Sequence, residues 1–280
     1  LSSLSMLGSD QAESLRRMLA PRVTRRIAVV ASEPGAGATT VALGLSNALA
    51  LQGERVLLVD EDRQGARATR LAGATPKASL ADVLAGRMPL AEALGTRPAS
   101  GLAVLEAGNM MADIAMDGHE GRDGRALADL RTVVIDARAA QDGSLSPLAG
   151  AAHNFVIVMR PDATSITAAY ACIKRLHHQY ACRRFHLVVN MASSEAAVTA
   201  ITGNLARTAG QYLGVEASSA GALPVDPLVV RGLHLGRCVV EAFPAAAATT
   251  ALRRMAGAIN GWPLRTETAV PRSMAAAMPA

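Results

Sequence analysis

Ile27-Ala28-Val29-Val30-Ala31 is a continuous apolar run of strand length, and its composition suits a strand buried on both faces. Ser32-Glu33-Pro34-Gly35-Ala36-Gly37-Ala38-Thr39-Thr40 follows at once, and an apolar helical pattern then runs from Val41 to Leu51. A strand, a glycine-rich loop, a Thr-Thr pair and a helix in this order is the setting of a phosphate-binding loop. There, backbone N–H groups and the helix N-terminus together cradle an anion. Against the pattern G-x-x-x-x-G-K-[ST], Ser32 replaces the first glycine and Ala38 the lysine, while Gly37 and Thr39 remain. The loop keeps its shape and loses its charge.

The 280 residues are half hydrophobic and 18% charged, enough core for one large α/β domain. No apolar run approaches the roughly 18 residues that a membrane span needs. The N-terminus has no charged segment leading into an apolar block, so a secreted protein is not expected. Cys172, Cys182 and Cys238 form no paired framework, and a reducing cytoplasm is the simple expectation. The net charge of +5 comes from arginine, because the only lysines are Lys77 and Lys174, both remote from the loop in sequence. No dense basic run points to specific nucleic-acid binding.

Strand-like and helical patterns alternate along the rest of the chain. Strands are expected at Arg26–Ala31, Arg55–Asp60, Leu102–Glu106, Thr132–Asp136, Asn154–Arg160 and Phe185–Asn190, with a short last one near Ala220–Leu223. Helices are expected at Thr39–Gln52, Ile166–Tyr180, Ala196–Leu213 and Thr249–Ile259. The alternation predicts a doubly wound, mostly parallel α/β sheet of about seven strands with helices on both faces. It occupies residues 24–264. Residues 1–23 read as a flexible, Ser-rich leader carrying one amphipathic helix, Asp10–Leu19, and residues 265–280 as a disordered Pro- and Ala-rich tail.

Two predicted strands end in aspartate, at the sheet edge where folds of this kind bind ligands. Val133-Val134-Ile135-Asp136 has the form of a segment whose carboxylate reaches Mg²⁺, and Asp60-Glu61-Asp62 follows the other strand. Asp62 is the candidate for orienting an attacking water.

These features resemble the MinD/ParA class of P-loop ATPases, and within it the flagellar-number regulators of the FlhG/FleN (YlxH) family. Ser32–Thr40 is similar to that class's G-K-G-G-x-G-K-[ST]-[ST] loop. Asp60-Glu61-Asp62 is similar to its D-x-D. Thr75-Pro76-Lys77-Ala78-Ser79-Leu80-Ala81-Asp82-Val83-Leu84-Ala85-Gly86 resembles T-P-K-x-T-L-x-D-V-x-x-G. Pro161–Tyr170, Val189-Asn190-Met191 and Gly221-Ala222-Leu223-Pro224-Val225-Asp226 carry the likeness to near residue 264. Asp10-Gln11-Ala12-Glu13-Ser14-Leu15-Arg16 resembles the flagellar subfamily's D-Q-A-x-x-L-R element. There, that element activates the signal-recognition-type GTPase FlhF.

The resemblance implies ATP and Mg²⁺ as ligands. Gly35, Ala36, Gly37, Ala38, Thr39, Thr40 and Asn190 would contact nucleotide, Asn190 at the adenine. Thr39 and Asp136 would hold the metal, and Asp62 is catalytic only if hydrolysis survives. It implies an FlhF-like GTPase as partner through Asp10, Gln11, Ala12, Leu15 and Arg16, and a flagellar transcription activator or basal-body switch proteins as further partners. A homodimer and weak contact with the inner membrane surface through Thr249–Ile259 also follow, although packing of Leu252, Met255 and Ile259 onto the domain is the favoured reading of that helix.

The departures are equally informative. The class's signature lysine falls on Glu33, the loop lysine on Ala38 and a loop glycine on Pro34, and T-x-x-G after the Mg²⁺-binding aspartate has become Ala137-Arg138-Ala139-Ala140. ATP hydrolysis is therefore expected to be lost. Arg63, Arg67 and Arg138 are candidates to replace the missing cation, with exposed surface arginines the favoured expectation. The leading function is a regulator of flagellar number or placement that works through protein partners. The alternatives are a slow Mg-ATP switch and a ParA-like or cellulose-synthesis accessory role. Cys172, His177, His178, Cys182 and His186 fit no common zinc spacing, and cysteines for an iron–sulfur cluster are missing after the third and fourth strands. Neither zinc nor iron–sulfur is expected.

Overall fold

The computed structural model describes residues 24–94, 99–108, 130–140 and 142–264. The leader with its Asp10–Leu19 element and the tail 265–280 lie outside them. Seven strands form one sheet: β1 Arg25–Ala31, β2 Val56–Asp60, β3 Ala103–Glu106, β4 Thr132–Ala137, β5 Asn154–Met159, β6 Arg184–Ala192 and β7 Glu216–Pro224. Their order is β3-β2-β4-β1-β5-β6-β7, and every pair is parallel. The helices are α1 Ala38–Leu51, α2 Arg67–Leu71, α3 Leu80–Leu84, α4 Leu90–Ala93, α5 Pro147–Gly150, α6 Ala163–Tyr180, α7 Glu195–Leu213, α8 Pro227–His234, α9 Val239–Ala242 and α10 Ala247–Ile259.

Period-two alternation along each central strand builds the two layers. Ile27, Val29, Leu58 and Val134 face a core completed by α1, α9 and α10. Ala28, Val30, Leu57, Val59, Val133 and Ile135 face a second core completed by α3, α6 and α7. With both faces covered, the strands read as unbroken apolar runs, as buried parallel strands do.

The longer helices begin where local chemistry allows. Asp162 caps α6 by accepting from Ser165 N–H at 2.9 Å, and Ser194 caps α7 by accepting from Ala197 N–H at 3.2 Å. Ser79 and Asp82 form a reciprocal capping box on α3, and these hydrogen bonds lower the Asp82 pKa to about 2. The helix α10 buries Leu252, Met255 and Ile259 completely or nearly so. Its approach to α1 is close enough that a Cβ on Gly44 would come within 2.6 Å of Leu252 Cδ1. The apolar stripe of α10 is therefore core, as the favoured reading expected.

Beyond α10 the chain is pinned under the sheet. Trp262 stacks on His186 with centroids 3.7 Å apart, Asn154 donates to Pro263 C=O at 2.9 Å, and Arg25 donates to Trp262 C=O at 3.0 Å. Burial here holds the His186 pKa down to about 4, so the ring is neutral. Among the described residues, no helix is long and apolar enough to cross a membrane.

Candidate functional site

Because β1 lies between β4 and β5, the loop after β1 is flanked by the ends of both strands. Asp136 on β4 is in register with Val29 on one side and Asp60 on the other. Asp136 therefore stands beside the loop, with Asp60 one strand farther out.

The loop itself is a tight turn. Pro34 occupies its second position and Gly35, at φ +85°, its third, while Ala36 N–H donates back to Glu33 C=O at 3.2 Å. This is the pattern of a type II turn, which favours proline and glycine at those positions. It also uses up the Ala36 N–H, and Pro34 has none to offer. Gly37, at φ +95°, caps α1, and a Cβ there would fall 2.1 Å from Asn190 Nδ2. Asn190, reaching across from β6, donates to Ala36 C=O at 2.9 Å and so braces the loop from behind.

The reversed charge has a partner that sequence reasoning missed. Arg160, just past β5, donates to Glu33 Oε1 at 2.9 Å and lies 3.1 Å from Asp162 Oδ2. An acidic loop position facing an arginine one strand away was the available signal, hidden because it joins residues far apart in sequence. Ser32 and Ser165 complete the tie, their hydroxyls 3.1 Å apart in a buried contact.

The carboxylates divide by what holds them. Asp60 accepts from Asp62 N–H at 2.9 Å and Thr69 N–H at 2.8 Å, a structural role. Asp62 accepts from Arg138 at 3.1 Å and, at 3.3 Å, from Gly65 N–H. Arg138 is thus exposed, as expected, but paired with Asp62, the residue that the sequence offered as the one to orient a water. Glu61, which the sequence reading passed over, is buried between Ser146 Oγ and Arg138 N–H. Burial raises its pKa, partly offset by those two donors.

Asp136 differs from the others. The Thr39 hydroxyl donates to it, yet Asp136 Oδ2 is buried without a hydrogen-bonding partner, and burial pushes its pKa up to about 7. An orphaned carboxylate oxygen beside a threonine hydroxyl fits a divalent cation, and Thr39 and Asp136 are the residues that would hold it. Mg²⁺ would supply the positive charge that the side chains of the loop no longer carry.

The metal-like residues of α6 and β6 are dispersed in other work. Cys172 is buried with its thiol pushed up to about 11, His177 contacts Cys182 C=O at 2.8 Å, and His186 lies under Trp262. Among the described residues, no group of three or more such side chains is arranged to hold a metal.

Strand order, loop and strand-end aspartates define a P-loop nucleotide-binding domain of the MinD/ParA class. A family model described as an AAA domain matches residues 24–132. The antiactivator FleN of Pseudomonas aeruginosa is 34% identical over 245 residues, covering 85% of this chain and 87% of that protein. The chain belongs to the FlhG/FleN family of MinD-like flagellar regulators. Chromosome partitioning protein ParA of Caulobacter vibrioides is 42% identical, but over only 30% of this chain. Among solved structures, MinD of Pyrococcus horikoshii complexed with Mg-ADP has a TM-score of 0.65 at 20% identity, covering 85% of this chain and 96% of its own. MinD of Aquifex aeolicus has a TM-score of 0.65 at 21% identity, covering 88% and 100%. These two likenesses speak for the fold.

Proposed function

We propose that this protein sets flagellar number or placement by binding other proteins in the cytoplasm, and that its nucleotide site has become a scaffold. The observation that supports this is the state of charge at the loop. Lysine is absent, Glu33 is present, and the arginines on either side, Arg160 and Arg138, are already paired with Glu33 and Asp62. Phosphoryl transfer relies on fixed positive charge around the equatorial oxygens. A lost hydrogen bond to a charged group costs about 1.5–3 kcal/mol, so triphosphate affinity falls by roughly tenfold or more. The leader would engage an FlhF-like GTPase through Asp10, Gln11, Ala12, Leu15 and Arg16. A flagellar transcription activator or basal-body switch proteins would be further partners.

The test is phosphate release by the purified protein with Mg-ATP. Turnover is expected to stay at background. Turnover equal to that of a relative with an intact loop, and abolished by Asp62→Ala, would overturn the reading.

A second reading, a slow Mg-ATP switch between monomer and dimer, has Asp136 in its favour, since its orphaned oxygen keeps a place for Mg²⁺. ATP-dependent dimerisation in light scattering would support that reading against the first.

A further inference from the structure

In an all-parallel sheet every strand starts at one edge and ends at the other, so residues flanking strand starts are gathered on a single face. Here, at four of the seven strand starts, those residues include arginines. Arg25 and Arg26 open β1, Arg55 precedes β2, Arg131 precedes β4, and Arg183 precedes β6, which Arg184 opens. Among the described residues, the carboxylates beside the strand starts are Glu54 and Glu216. Glu54 is 3.9 Å from Arg131 and accepts from Thr132 and Asn260, and Glu216 makes an exposed pair with Arg184 at 3.3 Å, the weak kind. The opposite edge, at the loop, mixes Glu33, Asp60, Glu61, Asp62, Glu106 and Asp136 with Arg63, Arg138 and Arg160, the last two in ion pairs. The strand-start edge is therefore the more basic of the two.

Arg25 hydrogen-bonds Asn154 and the Trp262 carbonyl, and Arg55, Arg131, Arg183 and Arg184 are exposed. With neighbouring strands about 4.8 Å apart, the span from β2 to β6 is about 19 Å. Apolar side chains stand at the same end. Leu51 closes α1, Tyr212 lies one residue from the end of α7, Leu264 follows the pinned Trp262, and all three are substantially exposed. Arginine and tyrosine are both enriched in protein–protein hot spots. The described chain also starts here, since Thr24 donates to Leu130 C=O just ahead of β4.

We propose that this arginine-lined edge receives a carboxylate-rich face of the protein held by the leader, which places the GTPase against the end of the sheet farthest from the loop. The proposal rests on the partner-binding reading above and adds the surface on which the body meets that partner. Duplex DNA and anionic lipid fit less well. The exposed arginines fall into two groups, β2–β4 and β6, and between them lie half-buried Arg25, committed to Asn154 and the Trp262 carbonyl, and buried Asn154, which interrupts a continuous phosphate track. The apolar side of α10 is in the core, so that helix has no free apolar stripe to lay on lipid.

The experiment titrates the full-length protein against the FlhF-like GTPase at low and high salt, following both binding and stimulated GTP hydrolysis. The variants are Arg55→Glu with Arg131→Glu, Arg183→Glu with Arg184→Glu, a deletion of residues 1–20, and Arg254→Glu on exposed α10 as control. Each edge pair is expected to weaken binding by roughly tenfold or more, with the difference shrinking in high salt. Stimulation at saturation stays at the wild-type level, because the leader is intact. Arg254→Glu changes nothing, and the matching Arg→Gln pairs, checked by melting, give a smaller loss in the same direction. Wild-type affinity in both edge pairs overturns the edge proposal. Stimulation that survives the leader deletion overturns the partner reading instead. Edge reversals that spare GTPase binding but abolish co-sedimentation with phosphatidylglycerol vesicles, or the gel shift of a DNA duplex, assign the edge to lipid or nucleic acid and also refute it.

Discussion

Asp136 carries the most unusual chemistry of any single residue in the site. In the folded protein it holds its proton up to about pH 7, against an ordinary value of 3.8. Between those two values the folded state binds a proton that the unfolded state has lost. Stability therefore falls as pH rises through that window and levels off above it. Glu61, shifted the same way, steepens the fall. Asp136→Asn removes the main ionisation, so its melting temperature should gain on wild type as pH goes from about 4 to about 8. Parallel melting curves across that range would refute the assignment. Excess Mg²⁺ should narrow the gap by stabilising only the carboxylate form. Ala38→Lys tests the loop in the opposite direction. A restored charged hydrogen bond should tighten Mg-ATP binding by roughly tenfold or more, measured by calorimetry, and no gain would mean that the Pro34-Gly35 turn is the greater obstacle. The sequence made the missing charges plain, because single positions in a known pattern carry them. It could not reveal the Glu33–Arg160 and Asp62–Arg138 pairs, which depend on which strand lies beside which.

Among the elements, the meeting of α1 and α10 is the most exacting contact. Leu252 occupies the space that a side chain at position 44 would need. Gly44→Ala should destabilise by about 1–3 kcal/mol despite better helix propensity, because Leu252 is fully buried and has no room to yield. Leu252→Ala should cost about 2–5 kcal/mol. Adding Gly44→Ala to Leu252→Ala should then be neutral or favourable, and strictly additive losses in denaturant melts would refute the contact. The strands and four long helices were legible to within a few residues, since apolar runs and helical periodicity are local signals. The exception is β7, expected only near Ala220–Leu223 but running from Glu216. Its Glu-Ala-Ser-Ser start has little strand propensity and pairs on one side only, so hydrogen bonding to β6, not composition, makes it a strand. Short helices such as α2 and α8 escaped because one or two turns leave too little periodicity to read.

For the whole molecule, sheet topology does more than order the core. It gathers Arg55, Arg131, Arg183 and Arg184, far apart in sequence, at one edge, so a bulk charge of +5 conceals an uneven distribution. Fold class was readable from the alternation of patterns, whereas this gathering required knowing that every strand runs the same way. The contact of Arg25 with the carbonyl of Trp262 has a consequence for chain connectivity. It holds the first and last described stretches side by side, so a circularly permuted gene, with a short linker joining residue 264 to residue 24 and new ends opened at the exposed Gln52-Gly53 turn, should yield a cooperatively folding body. Failure of that permutant to melt as a single unit would mean that the order of synthesis, and not the final contact, brings the two ends together.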